Sequence, residues 1–279
     1  MPLDVLRQGI RFAMMENLII QFVYPGYELP QVYDETIATI DHSNIKPQPC
    51  GADVLVLDGL ADVAAGVPTV LRISKRDLFA HADRVADALT KTPRLNIVVK
   101  DIETFTADDF NTYKKVLALL STRVEQLYAD GKAPQLNLLT DRMMLSRMNN
   151  CGAGDTSVTL APNGRFYVCP AFYYDDEADS VGDLQHGLDI KNKQLYKLDY
   201  APICRHCDAY QCKRCIWLNR KTTLEVNTPS HEQCVLAHLE RNVSRDLLHN
   251  IRSHGTFLPG QEITEIDYLD PFDKRDEWQ

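Results

Sequence analysis

The sequence lacks most of the motifs that assign an enzyme to a class on sight. It has no GxGxxG and no phosphate loop ending in GK[ST], no HExxH and no GxSxG. Nucleotide-binding, zinc-protease and hydrolase chemistry therefore have no motif to stand on. Long apolar runs are missing too: LIIQFVY (18–24) is interrupted by Gln21 and falls well short of the roughly 20 apolar residues that span a bilayer. No membrane association is expected. The start, MPLDVLRQGIRF, has no basic stretch leading into an apolar one, so no secretory signal is visible and a cytoplasmic location is the expectation. Positive charge is in short supply, with 30 Lys and Arg against 39 Asp and Glu and a formal net charge of −9. That balance excludes a general nucleic-acid binder, which needs a basic face to neutralise phosphates. Cysteine is almost absent from the first half, where Cys50 alone precedes residue 151.

What is present is a chain of 279 residues, 44% hydrophobic and 25% charged, ample for a substantial core. Up to residue 148 short apolar runs alternate with helical periods. IIQFVYP, DVLVLD (53–58), TVLRIS (69–74), LNIVVK (95–100) and QLNLLT (135–140) read as buried strands. Leu3 to Asn17, 31–40, 76–90 and 107–130 read as helices, the last with Thr106 as N-cap and Asp108 and Asp109 in its first turn. This order predicts an α/β fold with a mainly parallel sheet, open or curled into a partial barrel. From residue 149 the periodicity weakens until 231–252, and the last nineteen residues hold seven acids against two bases. The expected organisation is a β/α domain over 1–148, a cysteine-rich domain with a C-terminal helix over 149–255, and an acidic tail over 256–279.

Seven of the eight cysteines fall between residues 151 and 234: Cys151, Cys169, Cys204, Cys207, Cys212, Cys215 and Cys234. In a reducing compartment such a concentration points to metal ligation rather than disulfides. The stretch CRHCDAYQCKRC (204–215) sets two CxxC pairs only four residues apart, closer than the pairs of ordinary structural zinc sites. Two zinc ions would use nearly all seven thiolates. Iron–sulfur clusters accept the same ligands and tolerate interleaved spacing. Residues 204–221 carry Arg205, Lys213, Arg214, Arg220 and Lys221 against Asp208 alone, a setting that favours deprotonated thiols. Between Cys151 and Cys169, Pro162-Asn163-Gly164 reads as a hairpin turn. Cys50, His42 and His206 read as ordinary loop, core or surface residues.

The order of these cysteines, with twelve residues between Cys151 and Gly164 and four between Gly164 and Cys169, resembles the SPASM domain. That domain is the C-terminal auxiliary-cluster module of radical SAM peptide-modifying enzymes. Its usual CX2CX5CX3C is here CX2CX4CX2C, one residue short in each of the last two intervals. The resemblance implies two [4Fe-4S] clusters, one on Cys204, Cys207, Cys212 and Cys234, the other on Cys151, Cys169 and Cys215. It also implies that the first half is a degenerate radical SAM-like barrel. The family's CxxxCxxC, which holds the SAM-cleaving cluster, is missing, so no SAM is expected on this chain alone. The chain also opens on a helix where that barrel opens on a strand, which implies a segment further upstream.

FAMMENLIIQFVYPGYELP, IDHSNIKP and MNNCGAGDTSVTLAPNGRFYVCPAFYYDD more narrowly resemble the CXXX repeat peptide maturase family. This resemblance implies a component of a ribosomal-peptide maturation system. Its partners would be a precursor peptide with a cysteine at every fourth residue and a separate radical SAM enzyme. Whether the chain is catalytic or a peptide-presenting scaffold, and whether zinc replaces the clusters, stays open at this level.

Overall fold

The computed structural model of the protein describes residues 1–24, 27–46 and 54–255. In chain order, α1 (Leu3–Met15) and α2 (Gln31–Ile37) precede β1 (Leu55–Asp58), β2 (Thr69–Ile73), α3 (Lys75–Ala80), α4 (Ala82–Ala88) and β3 (Arg94–Val99). The long α5 (Ala107–Ala129), β4 (Gln135–Leu136) and α6 (Thr140–Met143) follow. Then come β5 (Thr159–Leu160), β6 (Phe166–Tyr167), α7 (Pro170–Asp175), β7 (Gly182–Asp183), β8 (Gly187–Leu188), α8 (Ile216–Thr223) and α9 (His231–Ser253). Among the described residues, no helix is long and apolar enough to cross a membrane.

These elements form a mixed α/β structure in two compact units. The first draws on the described residues within Met1–Gly51 and Gly152–Lys197, the second on those within Ala52–Cys151 and Leu198–Gln279. The boundary expected at residue 148 follows chain order, and the units do not. The apolar side chains explain the difference. Leu236, Leu247, Leu248 and Ile251 of α9 complete the core under the sheet, so the C-terminal helix belongs with the β/α half.

In the second unit β1, β2, β3 and β4 form one parallel sheet in that order. Leu71, Ile73, Leu95, Ile97 and Val99 point to its buried face, every second residue as the strand period requires. Against them lie Tyr113, Val116, Leu117, Leu120, Val124 and Leu127 of α5, spaced three and four apart as one helical stripe. Thr106 caps α5 as expected, its Oγ accepting from the Asp109 N–H at 3.4 Å while the Asp109 carboxylate accepts from the Thr106 N–H at 2.8 Å. The helix expected at 76–90 is broken at His81, whose φ of −133° separates α3 from α4.

Two expected strands are shorter than their apolar runs. IIQFVYP makes a single bridge, Ile20 to Ile45, with Val23 and Tyr24 exposed and Pro25 outside the described residues. QLNLLT pairs only over β4 because Asn137 turns its side chain to the sheet. Its Oδ1 accepts from the Ile97 N–H at 2.8 Å and its Nδ2 donates to the Ile97 carbonyl at 2.9 Å, in place of a continued ladder. Cys50 and the acidic tail 256–279 lie outside the described residues.

The first unit is built on short elements. β5 and β6 pair antiparallel around Pro162-Asn163-Gly164, where Gly164 takes φ +78° and returns its N–H to the Ala161 carbonyl at 3.0 Å. α1 closes on this hairpin: Phe12 stacks on Phe166 with ring centroids 4.7 Å apart, and a Cβ at Gly9 would meet Leu160 Cδ2 at 2.3 Å.

Candidate metal centre

In the second unit, four of the sequence-predicted ligands meet. Cys204, Cys207, Cys212 and Cys234 all line one cavity of about 20 Å³, enclosed by apolar side chains such as Met148 and Ile203. Cys204 and Cys234 are buried, and Cys207 and Cys212 half-buried. The chain brings the first three together through a succession of tight turns. The Cys207 N–H donates to the Cys204 carbonyl at 3.1 Å and the Cys212 N–H to the Ala209 carbonyl at 3.0 Å. Each turn aims a backbone donor at a sulfur two residues back: the Ala209 N–H at Cys207 Sγ and the Arg214 N–H at Cys212 Sγ, both at 3.4 Å. Arg214 reaches this position at φ +46°. Cys234 arrives from α9, whose first turn is fixed by the Ser230 Oγ accepting from the Gln233 N–H at 3.3 Å.

Burial pushes the Cys207 and Cys212 thiols up to about 12, against the opposing pull of those backbone donors. Without a cation they are neutral thiols at physiological pH. A bound metal ion displaces the protons, so loading the site releases protons and strengthens as pH rises.

The surroundings are rich in buried cations. Asp208, next to Cys207, is buried between two arginines: Arg142 Nη2 donates to its Oδ2 and Arg241 Nη1 to its Oδ1, each at 3.0 Å. Arg142 Nε also donates to the Asp208 carbonyl at 3.0 Å, so α6, α9 and the cysteine run are tied at one residue. Arg214, fully buried in the cavity wall, donates from Nε to Asn150 Oδ1 at 3.0 Å. Arg142, Arg214 and Arg241 are thus all buried here, while Asp141 is paired with Arg94. Nearby Glu240 accepts from the Tyr113 hydroxyl at 2.7 Å and from Gln211 Nε2 at 3.3 Å. Burial pushes its carboxyl up to about 7, the two hydrogen bonds pulling the other way.

The donor set suits a thiolate-ligated centre: four cysteines, N–H groups aimed at sulfur, an apolar enclosure and positive charge to balance an anionic group. The sulfurs line the cavity wall rather than converging. Among the described residues, no three His, Cys, Asp or Glu side chains form a ready metal-holding group.

The other three predicted ligands are not gathered in either unit. Cys151 is exposed in the second unit, its N–H donating to the Lys213 carbonyl at 3.4 Å. Cys215, half-buried, is the N-cap residue of α8 and is not part of the cavity wall. Cys169 belongs to the first unit, as N-cap residue of α7 with Pro170 following it. His206 is exposed.

Sequence reading missed His238, which is buried in the cavity wall with Nε2 at 3.5 Å from Cys207 Sγ. The signal was present, since Cys234 and His238 are four apart on a helix and so share one face. It also missed the Arg142–Asp208–Arg241 cage, for which a single sequence carries no spacing rule. No protein-family model and no curated protein matches the chain.

Proposed function

We propose that this chain is a metal-bearing component of a ribosomal-peptide maturation system. It holds an auxiliary [4Fe-4S] cluster on Cys204, Cys207, Cys212 and Cys234, and a second on Cys151, Cys169 and Cys215. The observation that carries the first cluster is that Cys234, nineteen residues beyond Cys215, lies in the same buried cavity as the thiols of the CRHCDAYQCKRC run. On this reading the parallel sheet is a degenerate radical SAM-like barrel, and the cysteine-rich segments correspond to a SPASM domain. The precursor peptide and the separate radical SAM partner rest on the resemblance of residues 12–30, 40–47 and 148–176 to CXXX repeat peptide maturases. A cytoplasmic location accords with cysteines kept reduced. When bound, such clusters supply electron relay and cohesion; the chain's own residues supply the thiolates, the N–H donors and the charge balance.

The test is anaerobic reconstitution of wild type, Cys212→Ala and Cys215→Ala. Each substitution is expected to remove about half of the iron and to leave the other centre's absorption, since each cluster holds about four irons. Equal loss of both centres in either variant contradicts the interleaved assignment. Binding of a synthetic peptide with cysteine at every fourth residue, read by fluorescence anisotropy, tests the partner; affinity no greater than for a serine-substituted peptide removes it.

The cavity itself favours a second reading. Its volume of about 20 Å³ is near that of one water-sized body. A single zinc on the same four cysteines needs less room than a cluster, the thiols turning inward to reach it.

A further inference from the structure

We propose that His238 donates a hydrogen bond from Nε2 to the Cys207 thiolate of the loaded centre and raises that centre's reduction potential. This deepens the preceding reading and rests on its [4Fe-4S] assignment for Cys204, Cys207, Cys212 and Cys234. His238 is only 3% exposed, sits one helical turn after Cys234 on α9, and lines the same cavity. Its Nε2 lies 3.5 Å from Cys207 Sγ, an N–H to sulfur hydrogen-bond distance.

The thiols are not equivalent in this respect. Cys207 faces the Ala209 N–H and the imidazole, whereas the contact seen at Cys212 is the Arg214 N–H. A donor at a ligand sulfur withdraws electron density from the iron and stabilises the more negatively charged reduced state. It does so most effectively where water is excluded, as at this apolar wall. His238 is therefore a positioning residue that lowers the electron density at Cys207. The carboxamide of Gln233 lies in the same wall, with its Oε1 buried and lacking a hydrogen-bond partner.

The experiment compares the full chain with His238→Leu, which keeps apolar bulk and removes the donor, and with His238→Gln, which keeps an N–H. All three are reconstituted anaerobically, assayed for iron and sulfide, and titrated potentiometrically with dithionite in the presence of mediators. The expected result is unchanged iron, a midpoint potential shifted negative in the Leu variant, and an intermediate value in the Gln variant. Full iron with an unshifted potential in His238→Leu overturns the proposal while leaving the cluster in place. Loss of the cluster in both variants also overturns it, because His238 would then be needed to hold the metal. A wild-type chain that takes up no iron overturns the cluster reading and this inference together.

Discussion

Within the second unit, the parallel sheet and the cysteine run 201–215 are held together by opposite means. Under the sheet, Leu71, Ile73, Leu95, Ile97, Leu117, Leu120 and Val124 close a continuous apolar core that needs no further partner. Around the run, the buried apolar cluster is small: Met148, Ala201 and Cys204, with Leu198 and Ile203 partly buried against it. Cohesion there comes from Asp208 between Arg142 and Arg241, from Gln211 on the Ala237 carbonyl at 2.8 Å, and from turns that point N–H groups at sulfur. One region is stabilised by area removed from water and the other by polar groups whose worth depends on complete pairing. The sheet is thus closed by apolar area alone, whereas the run is ordered by paired charges and by backbone donors at Cys207 and Cys212.

The comparison breaks most severely at Asp208. Asp208→Asn removes the carboxylate that buried Arg142 and Arg241 share and is expected to cost roughly 3–5 kcal/mol, measured by urea denaturation of the purified protein. A loss below about 1 kcal/mol, the worth of an exposed ion pair, contradicts the cage. On the sheet side, Leu117→Ala leaves a cavity in the closed core and is expected to cost roughly 3 kcal/mol. Because Leu117 is not part of the cavity wall, it should leave the metal content of the cysteine site nearly unchanged. Iron lost in proportion to stability would show one undivided core instead.

Glu240 joins the two regions, through Tyr113 of the core and Gln211 of the run. Its carboxyl is raised from the ordinary 4.5 to about 7, so the native state holds a proton that the unfolded chain releases in that interval. Stability therefore falls as pH rises from 4.5 to about 7 and levels off above it, by at most about 3 kcal/mol. Glu240→Gln should flatten that slope; an unchanged slope assigns it elsewhere. The smallest effect is expected at the start of α5, where Thr106→Ala removes the cap and costs about 1 kcal/mol, without altering metal binding.

The sequence made the sheet region legible because strand and helix periods are local. β1, β2, β3, α5 with its Thr106 cap, and α9 fall close to their expected positions. What eluded it depends on contacts distant in sequence. Asn137 ends β4 by pairing with Ile97 from forty residues away, and α9 joins the β/α unit because its apolar stripe meets α5. At the cysteines, identity and count were legible; that Cys204, Cys207, Cys212 and Cys234 line one cavity is seen only in the fold. Arg142 and Arg241, sixty-six and thirty-three residues from Asp208, carry no spacing that announces them. His238 did carry such a spacing, one turn beyond Cys234, and that interval was the readable clue to the wall of the site.

The most direct test of the central claim is the iron, sulfide and zinc content of the anaerobically reconstituted wild-type chain. Two auxiliary clusters predict about eight irons with a matching amount of sulfide, and broad thiolate-to-iron absorption. Stoichiometric zinc with no sulfide, or no metal at all, contradicts it.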